Sequence, residues 1–319
     1  AAYAGHFPGQ GVCVLATPES KPSFTPQPIL RNSYSGIKTP LDVRGSVPEA
    51  NQTSADVDRL AKAQELLFAN PRQMTNGALV LHKGHLLLEH YRDPFDENTK
   101  FESWSMGKTI AALLAGVAAQ TGRIELSSQT GFDAWQGDMR KRITLANLLN
   151  MASGLHFTGS YGRSEDTSRK QEDGVFLDHI YVYAGGVDSA EFCLSKPLAD
   201  PPGKAGRYRN CDPLLTLAMV REAMCGGSIQ DFLAWPYEHL LNRIGATGMV
   251  LETDPFGHFL ISGHDYGRAR DWARLGQLVL QRGAWGGDQI IPEAFIEFMM
   301  TPALEAWGNT TKDPYGGFA

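Results

Sequence analysis

The sequence predicts an α+β protein, in which an antiparallel sheet with flanking helices is joined to a mostly helical region. Residues 77–92, GALVLHKGHLLLEHYR, are two β-rich runs around Lys83 and Gly84, a pattern typical of a hairpin. Their apolar character predicts strands that are covered on both faces. After residue 105 the apolar spacing becomes helical, and few strand-like segments follow residue 257. Because a lone hairpin is marginal, we expect further strands or helices to pack on it.

The first helices follow from apolar spacing and capping residues. Residues 54–68, SADVDRLAKAQELLF, combine Ser54 as N-cap with one apolar face, which predicts a surface helix. Residues 110–119 are apolar on every side, so this helix is expected to be buried. In ITLANLLNMASGL, Thr144 is the predicted N-cap and Gly154 the predicted stop.

Three later helices are predicted in the same way. DPLLTLAMVREAMCGG has Asp212 as expected N-cap, Pro213 at the first helical position and Gly226 past the end. Residues 270–283 and 292–300 have helical spacing. The chain is then expected to comprise four regions: an extended N-terminal arm at 1–53, the first part of the sheet region at 54–104, a mostly helical region at 105–240 and a return toward the sheet at 241–319.

Bulk properties narrow the functional classes. The net charge of −6 argues against a nucleic-acid partner, which needs a basic face. No stretch of about 18 apolar residues occurs, so no membrane span is predicted. The start AAYAGHFPGQ, without Met, favours a periplasmic or secreted protein over a cytoplasmic one.

Cysteine and histidine spacing predicts neither a zinc site nor another metal centre. Cys193 with Cys211 or Cys225 could form a disulfide, and scattered buried thiols are the alternative. No Cys/His spacing matches a zinc site. The histidines at 82, 85 and 90 alternate between the faces of the predicted hairpin, so they do not converge on one metal.

The segment FESWSMGKTIAALLAGVAAQTGR contains two candidate functional patterns. GKT is the tail of a phosphate-binding loop, but that loop needs a glycine where this chain has Glu102, whose carboxylate would repel a phosphate. The other pattern is Ser105 followed three residues later by Lys108. On a helix these two residues share one face, so the ammonium can reach the hydroxyl.

The position of this pair favours nucleophilic chemistry. The positive end of a helix stabilises an oxyanion, and burial beside an apolar helix lowers the pKa of a lysine such as Lys108. A Ser N-cap with a solvated lysine is the structural alternative.

A second cluster, YRN, places Tyr208 and Asn210 just before another helix. A tyrosine beside a lysine can act as a general base, and an asparagine amide can bind a substrate amide. A loop tyrosine and a turn asparagine are the alternative here.

Taken together, these motifs resemble the serine β-lactamase and penicillin-binding protein superfamily, in its class C-like branch. That branch includes class C β-lactamases, DD-peptidases, esterases and 6-aminohexanoate-dimer hydrolases. The resemblance extends from the hairpin to PEAFIEFMM and implies a β-lactamase/transpeptidase-like fold. It implies that Ser105 is the acylated nucleophile, Lys108 its partner and Tyr208 the general base, with Asn210 contacting the lysine or the substrate.

The resemblance also implies a substrate-binding tyrosine in a loop, and this chain departs from the superfamily at a third motif. SGLHFTGSYGR stands where 6-aminohexanoate-dimer hydrolases carry a substrate-contacting tyrosine, so Tyr161 is expected to bind substrate and SYGRSEDTSRKQEDG to form a lid. The superfamily has a third motif, K-T-G or H-x-G, on a strand facing the serine. The nearest candidate is SGHDYG at 262–267, which fits a loop before the next helix better than a sheet strand. We therefore expect the last strands to be missing from this chain, with a second polypeptide or segment completing the sheet and the oxyanion hole.

These expectations favour a serine esterase or amidase acting on a small ester or linear amide, without cofactor or metal. A class C-like β-lactamase or DD-peptidase acting on a lactam or peptide is the alternative within enzymes. A non-catalytic binding protein of the same fold is the alternative of another class.

Overall fold

The fold is described by a computed structural model that covers residues 3–8, 10–31, 54–70, 72–82, 85–158, 161–162 and 177–308. Within these ranges the strands are β1 Tyr3–Phe7, β2 Gly11–Leu15, β3 Gly77–His82, β4 His85–Tyr91, β5 Lys100–Glu102, β6 Tyr161–Gly162, β7 Arg207–Tyr208, β8 Val250–Leu251, β9 Asp265–Arg268, β10 Ala284–Trp285 and β11 Asp288–Gln289. The helices are α1 Ser54–Ala69, α2 Gly107–Gln120, α3 Leu145–Leu149, α4 Asp178–Ala184, α5 Ser189–Leu194, α6 Cys211–Cys225, α7 Ile229–Phe232, α8 Ala269–Leu280, α9 Glu293–Met300 and α10 Leu304–Trp307. The mixture of helices and antiparallel strands confirms the α+β class.

The predicted hairpin is present, but it is less covered than expected. Strands β3 and β4 pair antiparallel, and α8 packs on β3 while α1 packs on β4. Val80 is 39% exposed, whereas Leu88 on the other strand is buried. The prediction of strands covered on both faces is therefore wrong for β3. The physical reason is that the hairpin forms a two-stranded sheet of its own within the described ranges, with no further strand beside it.

Helix α2 is the buried helix that the sequence predicts. Every residue from Ile110 to Ala118 is buried, because α6 and α9 pack against it. Gly116 admits α9 closely: a Cβ there would lie 3.0 Å from Cδ1 of Phe295. Trp104–Met106 form a 3₁₀ turn directly before the helix. The candidate nucleophile thus lies at the N-terminal end of a rigid element inside the main hydrophobic core.

The boundaries of α3 and α6 differ in part from the prediction. Thr144 caps α3 as expected, but the helix ends at Leu149, five residues before the predicted stop at Gly154. Gly154 instead permits a close backbone approach, since a Cβ there would lie 2.1 Å from the Asp200 carbonyl oxygen. Helix α6 ends at Cys225, and Gly226 follows it as predicted, with a left-handed φ of 56°.

The predicted N-cap of α6 at Asp212 is wrong. The helix begins at Cys211, so Asp212 lies inside the first turn and Asn210 occupies the cap position. The Asp212 carboxylate is not available for capping because it accepts a 2.7 Å hydrogen bond from the Ser153 hydroxyl. Helices α8 and α9 lie within a few residues of their predicted bounds.

The described part of the N-terminal arm contains a hairpin. Strands β1 and β2 pair antiparallel, and β2 docks on Thr253, whose N–H donates to the Val12 carbonyl and whose carbonyl accepts from the Val14 N–H. The apolar run from Val12 to Leu15 explains this docking, since Cys13 is fully buried. The predicted boundary at residue 53 lies outside the described residues.

A small sheet behind α2 corrects the interpretation of SGHDYG. Strands β5, β9 and β8 form a three-stranded antiparallel sheet with β9 in the centre. The segment predicted as a loop is therefore a turn at 261–263 followed by a strand that begins at Asp265. Pairing with β5 imposes the extended conformation on a polar, glycine-containing sequence that has little strand propensity of its own.

Two further predictions concern covalent links and membranes. All four cysteines are free thiols in this structure, three of them buried and Cys225 partly buried, so the alternative of scattered thiols applies rather than the disulfide. No helix among the described residues is long and apolar enough to cross a bilayer.

Candidate active site

Ser105 and Lys108 meet at the N-terminal end of α2. The Ser105 hydroxyl lies exposed in the 3₁₀ turn, and Lys108 lies in the first turn of the helix. Lys108 Nζ is 3.2 Å from Ser105 Oγ. The three-residue spacing therefore places the amine within hydrogen-bonding distance of the hydroxyl.

The environment of Lys108 favours a neutral amine. Its side chain is only 1% exposed, and Nζ donates a 2.8 Å hydrogen bond to the Ser262 carbonyl oxygen. Burial lowers the pKa of Lys108 from 10.5 to about 7, while the negative charge of Asp265 opposes this shift. An amine with such a pKa can accept a proton near neutral pH. The solvated lysine of the structural alternative is not found.

Tyr208 covers Lys108 from another part of the chain. It lies on β7 and is buried, with its ring centre 4.8 Å from Lys108 Nζ. An aromatic face at this distance attracts the protonated amine. Strand β7 pairs with β6, so that Tyr161 and Tyr208 are opposite each other in the register. The structure thus places the Tyr161 backbone beside the site, whereas Ser160 and residues 163–174 of the predicted lid lie outside the described residues.

Asn210 supports the site wall. It is fully buried, and its side-chain amide donates a 2.9 Å hydrogen bond to the carbonyl of His179. Its own carbonyl accepts a 2.8 Å bond from the Ser262 hydroxyl, so Ser262 links Asn210 to Lys108. The side-chain oxygen Oδ1 is buried and has no hydrogen-bond partner among the described residues. Asn210 thereby retains a free acceptor.

The backbone next to Ser105 is strained. Trp104 has a φ of 43°, in the left-handed region, and a bulky residue there costs about 1–3 kcal/mol. Its side chain is 62% exposed, so burial of the indole does not offset this cost. Such outliers cluster at active sites, where the surrounding structure holds them.

Comparison with known families decides the assignment. The family model for Beta-lactamase matches residues 68–317, which is most of the chain. This chain belongs to the beta-lactamase family. The family is one of serine hydrolases of β-lactamase fold, so the resemblance seen in the sequence motifs is confirmed. A comparison with curated proteins found no match.

Solved structures agree with the family on the fold. A putative 6-aminohexanoate-dimer hydrolase from Bacillus anthracis is 23% identical with a TM-score of 0.58, over 73% of this chain and 60% of that one. A putative beta-lactamase from Bacteroides dorei is 19% identical with a TM-score of 0.61, over 82% and 77%. A family VIII carboxylesterase is 17% identical with a TM-score of 0.56, over 76% and 75%. The matched region thus spans only 60% of the length of the first of these proteins.

One side-chain group in this beta-lactamase family member has the composition of a metal site. Ligand atoms of Asp188, Asp254 and His258 lie within 4.8 Å of one another. These atoms already have partners, since the Asp254 oxygens accept main-chain N–H groups and His258 lies 2.6 Å from Arg221 and 3.1 Å from Asp188. The Arg221 guanidinium beside the His258 imidazole also disfavours the binding of a cation. The group is best described as a structural hydrogen-bond network.

The sequence motifs missed several residues around Lys108. His179 lies near Tyr208, with 6.1 Å between ring centres, and burial together with the Lys108 charge lowers its pKa to about 4. No local pattern marks His179. Ser262 and Asp265 lie in SGHDYG, which the sequence does single out, but the loop interpretation concealed their contacts with α2.

Proposed function

We propose that this chain is a serine hydrolase that forms an acyl-enzyme on Ser105, and that it is an esterase or amidase acting on a small ester or linear amide. The observation that supports this proposal best is the 3.2 Å contact between Ser105 Oγ and a buried lysine whose pKa is about 7. A nucleophile beside a base that is itself held in place is the arrangement that covalent catalysis needs.

The proposed reaction has two stages. Lys108, in concert with Tyr208, takes the Ser105 proton as Oγ bonds to the carbonyl carbon, and main-chain N–H groups at the positive end of α2 stabilise the oxyanion. The carbon–oxygen or carbon–nitrogen bond to the leaving group then breaks, and the proton passes to that group. Water attacks the acyl-enzyme in the second stage, which releases the acid and restores Ser105.

Two features favour an esterase or amidase. The segment SGLHFTGSYGR resembles the amide-hydrolase and esterase members, and β6 brings Tyr161 into register with Tyr208. A β-lactamase or DD-peptidase is the second candidate, because its chemistry uses the same Ser105 and Lys108.

Labelling with a fluorophosphonate, followed by intact-mass analysis, tests the nucleophile. Wild type and Ser127→Ala, which removes an exposed serine distant in sequence, are expected to gain one adduct each, and Ser105→Ala none. Equal labelling of Ser105→Ala, or an unlabelled wild type, would contradict the assignment. Rates with a p-nitrophenyl ester, a linear amide and a chromogenic cephalosporin then distinguish the substrate classes. Penicillin adducts without ester turnover would favour the second candidate.

The completing segment is part of the same proposal. Because β3 and β4 pair with no other strand among the described residues and Val80 is exposed, we expect further strands, from this polypeptide or another, beside the hairpin. The intact mass of the native protein tests this expectation. A single species with the mass of this chain alone that still hydrolyses esters would contradict it.

A further inference from the structure

A buried carboxyl lies directly behind the Ser105–Lys108 pair. Asp265 begins the central strand β9 and is fully buried. Its main chain pairs with Ser103, whose N–H donates to the Asp265 carbonyl at 2.7 Å, and its Oδ2 lies 3.1 Å from the Ser103 hydroxyl. Its other oxygen, Oδ1, is buried and has no hydrogen-bond partner within the described part of the chain. A carboxyl in this state is costly unless a nearby charge compensates it.

Gly107, between Ser105 and Lys108, makes room for this carboxyl. A Cβ on Gly107 would lie 2.0 Å from Asp265 Oδ2 and 2.4 Å from the Ile261 carbonyl oxygen. The φ of Gly107 is −57°, which any residue adopts, so the backbone conformation does not require glycine. The space that the Asp265 carboxyl occupies therefore explains why residue 107 is a glycine.

Ser103 can respond to a proton on Asp265. Its Oγ lies 2.8 Å from the Trp104 carbonyl oxygen and accepts the Asp265 N–H at 3.3 Å. The hydroxyl has one hydrogen, which it can give either to the Trp104 carbonyl or to a carboxylate at Asp265. When Asp265 is protonated, the acid donates to Ser103 and Ser103 donates to Trp104. Asp265 Oδ2 can therefore share a hydrogen bond with the Ser103 hydroxyl whether Asp265 is charged or protonated.

Lys108 is the charge that compensates Asp265. Burial raises the pKa of Asp265 well above its usual value, and the Ser103 hydrogen bond and the Lys108 charge oppose this. Asp265 in turn opposes the fall in the Lys108 pKa that burial causes. The other ionisable groups that interact with one or the other member of the pair are His179, Tyr183, Tyr208, Tyr237, Glu252 and Tyr266.

We propose that Asp265 is a positioning residue for the acyl transfer: held against Gly107 by Ser103, its carboxylate is the counter-charge for the Lys108 ammonium that forms when Ser105 gives up its proton. This inference rests on the proposed function. Lys108 and Asp265 then titrate as a unit. The neutral Lys108 amine takes the Ser105 proton as Oγ bonds to the carbonyl carbon, the charged Asp265 carboxylate stabilises the ammonium so formed, and the ammonium then delivers that proton to the leaving group.

The substitution Asp265→Asn tests the counter-charge. It keeps the size and polarity of the side chain but removes its charge, so the pKa of Lys108 is expected to fall. Fluorophosphonate labelling and ester kcat/KM are each expected to rise with pH near pH 7, as Lys108 loses its proton. In the variant this rise is expected to move to lower pH by about one unit, which is the lower end of the pKa shift that an adjacent opposite charge causes. Asp254→Asn is the matched control, because Asp254 is also a buried carboxyl but does not affect the pKa of Lys108.

Ser103→Ala gives a second, independent test. It retains the carboxyl but removes the hydrogen bond that favours its charged form, so a smaller shift in the same direction is expected. If Asp265→Asn folds with the wild-type melting temperature and this rise with pH does not move, the proposal is overturned. If Asp265→Asn does not fold, an unmoved rise in Ser103→Ala overturns it. Wild type that is not labelled at any pH would instead overturn the proposed function.

Discussion

Replacement of Lys108 by methionine should make the protein more stable at pH 6 while abolishing labelling of Ser105. Burial depresses the pKa of Lys108 from 10.5 to about 7. At about 1.4 kcal/mol per unit, this depression corresponds to about 5 kcal/mol of stability lost when the amine is charged in both the folded and the unfolded state. Methionine has a similar length and no charge, so the variant avoids this cost, and Asp265 loses its counter-charge and is expected to be protonated.

The cost depends on pH in a defined direction. Below pH 7 the folded and unfolded proteins both hold the Lys108 proton, and the penalty is complete. Between pH 7 and 10.5 only the unfolded state holds it, so wild-type stability rises with pH. The penalty is thus about 5 kcal/mol at pH 6 and about 2 kcal/mol at pH 9.

The net effect also includes lost hydrogen bonds. The variant leaves the Ser262 carbonyl without the Lys108 donor, which costs about 1–3 kcal/mol. We therefore expect Lys108→Met to exceed wild type by about 2–4 kcal/mol at pH 6 and to lie within about 1 kcal/mol of it at pH 9. The advantage should fall by about 3 kcal/mol across this window, whatever the hydrogen bond contributes.

Urea unfolding of both proteins at pH 6 and pH 9 measures this difference. Lys204→Met is the control, because Lys204 is 64% exposed in its ion pair with Glu305 and is expected to give the same difference from wild type at both pH values. An advantage of Lys108→Met that is equal at the two pH values, or larger at pH 9, would refute the reasoning.

Three further outcomes follow from the same geometry. Gly107→Ala gains up to about 1 kcal/mol of helix propensity but overlaps Asp265 and a backbone carbonyl, so urea unfolding should show a net loss of about 1–3 kcal/mol, and wild-type stability would contradict the packing argument. Tyr208→Phe keeps the ring over Lys108 but removes the hydroxyl, so ester kcat should fall about 10²–10⁴-fold. The free energy of unfolding should change by no more than about 1.5 kcal/mol. An unchanged kcat would exclude Tyr208 from proton transfer. Thiol titration of the unfolded, unreduced protein should give four thiols per chain, and a count of two would show a disulfide.

The parts of the site that the sequence predicts are those fixed by local geometry. The spacing of Ser105 and Lys108 determines that they face each other, and the apolar residues after them determine that the lysine is buried. Neither conclusion depends on which other segments pack against α2. The family resemblance adds Tyr208, whose ring lies 4.8 Å from the amine.

The parts that could not be predicted depend on contacts between distant segments. The Ser262 carbonyl lies 154 residues from Lys108 in the chain, and Asp265 lies 162 residues from Ser103. SGHDYG is polar and contains two glycines, so its local preference is a loop, and only pairing with β5 makes its second half a strand. Asp212 has the composition of an N-cap but bonds Ser153 instead.

A group of unfavourable features beside Ser105 argues for an enzyme over a non-catalytic protein of the same fold. A buried lysine, a left-handed Trp104, and buried oxygens of Asn210 and Asp265 that have no hydrogen-bond partner among the described residues lie around the N-terminal end of α2. Apolar side chains of similar size would remove most of these costs, as the Lys108→Met prediction makes measurable. Proteins retain such local destabilisation where chemistry requires it, and a binding surface alone would not require a neutral amine beside a hydroxyl. If Lys108→Met proves more stable at pH 6 and cannot be labelled, the lysine is a stability cost whose compensation is reactivity at Ser105.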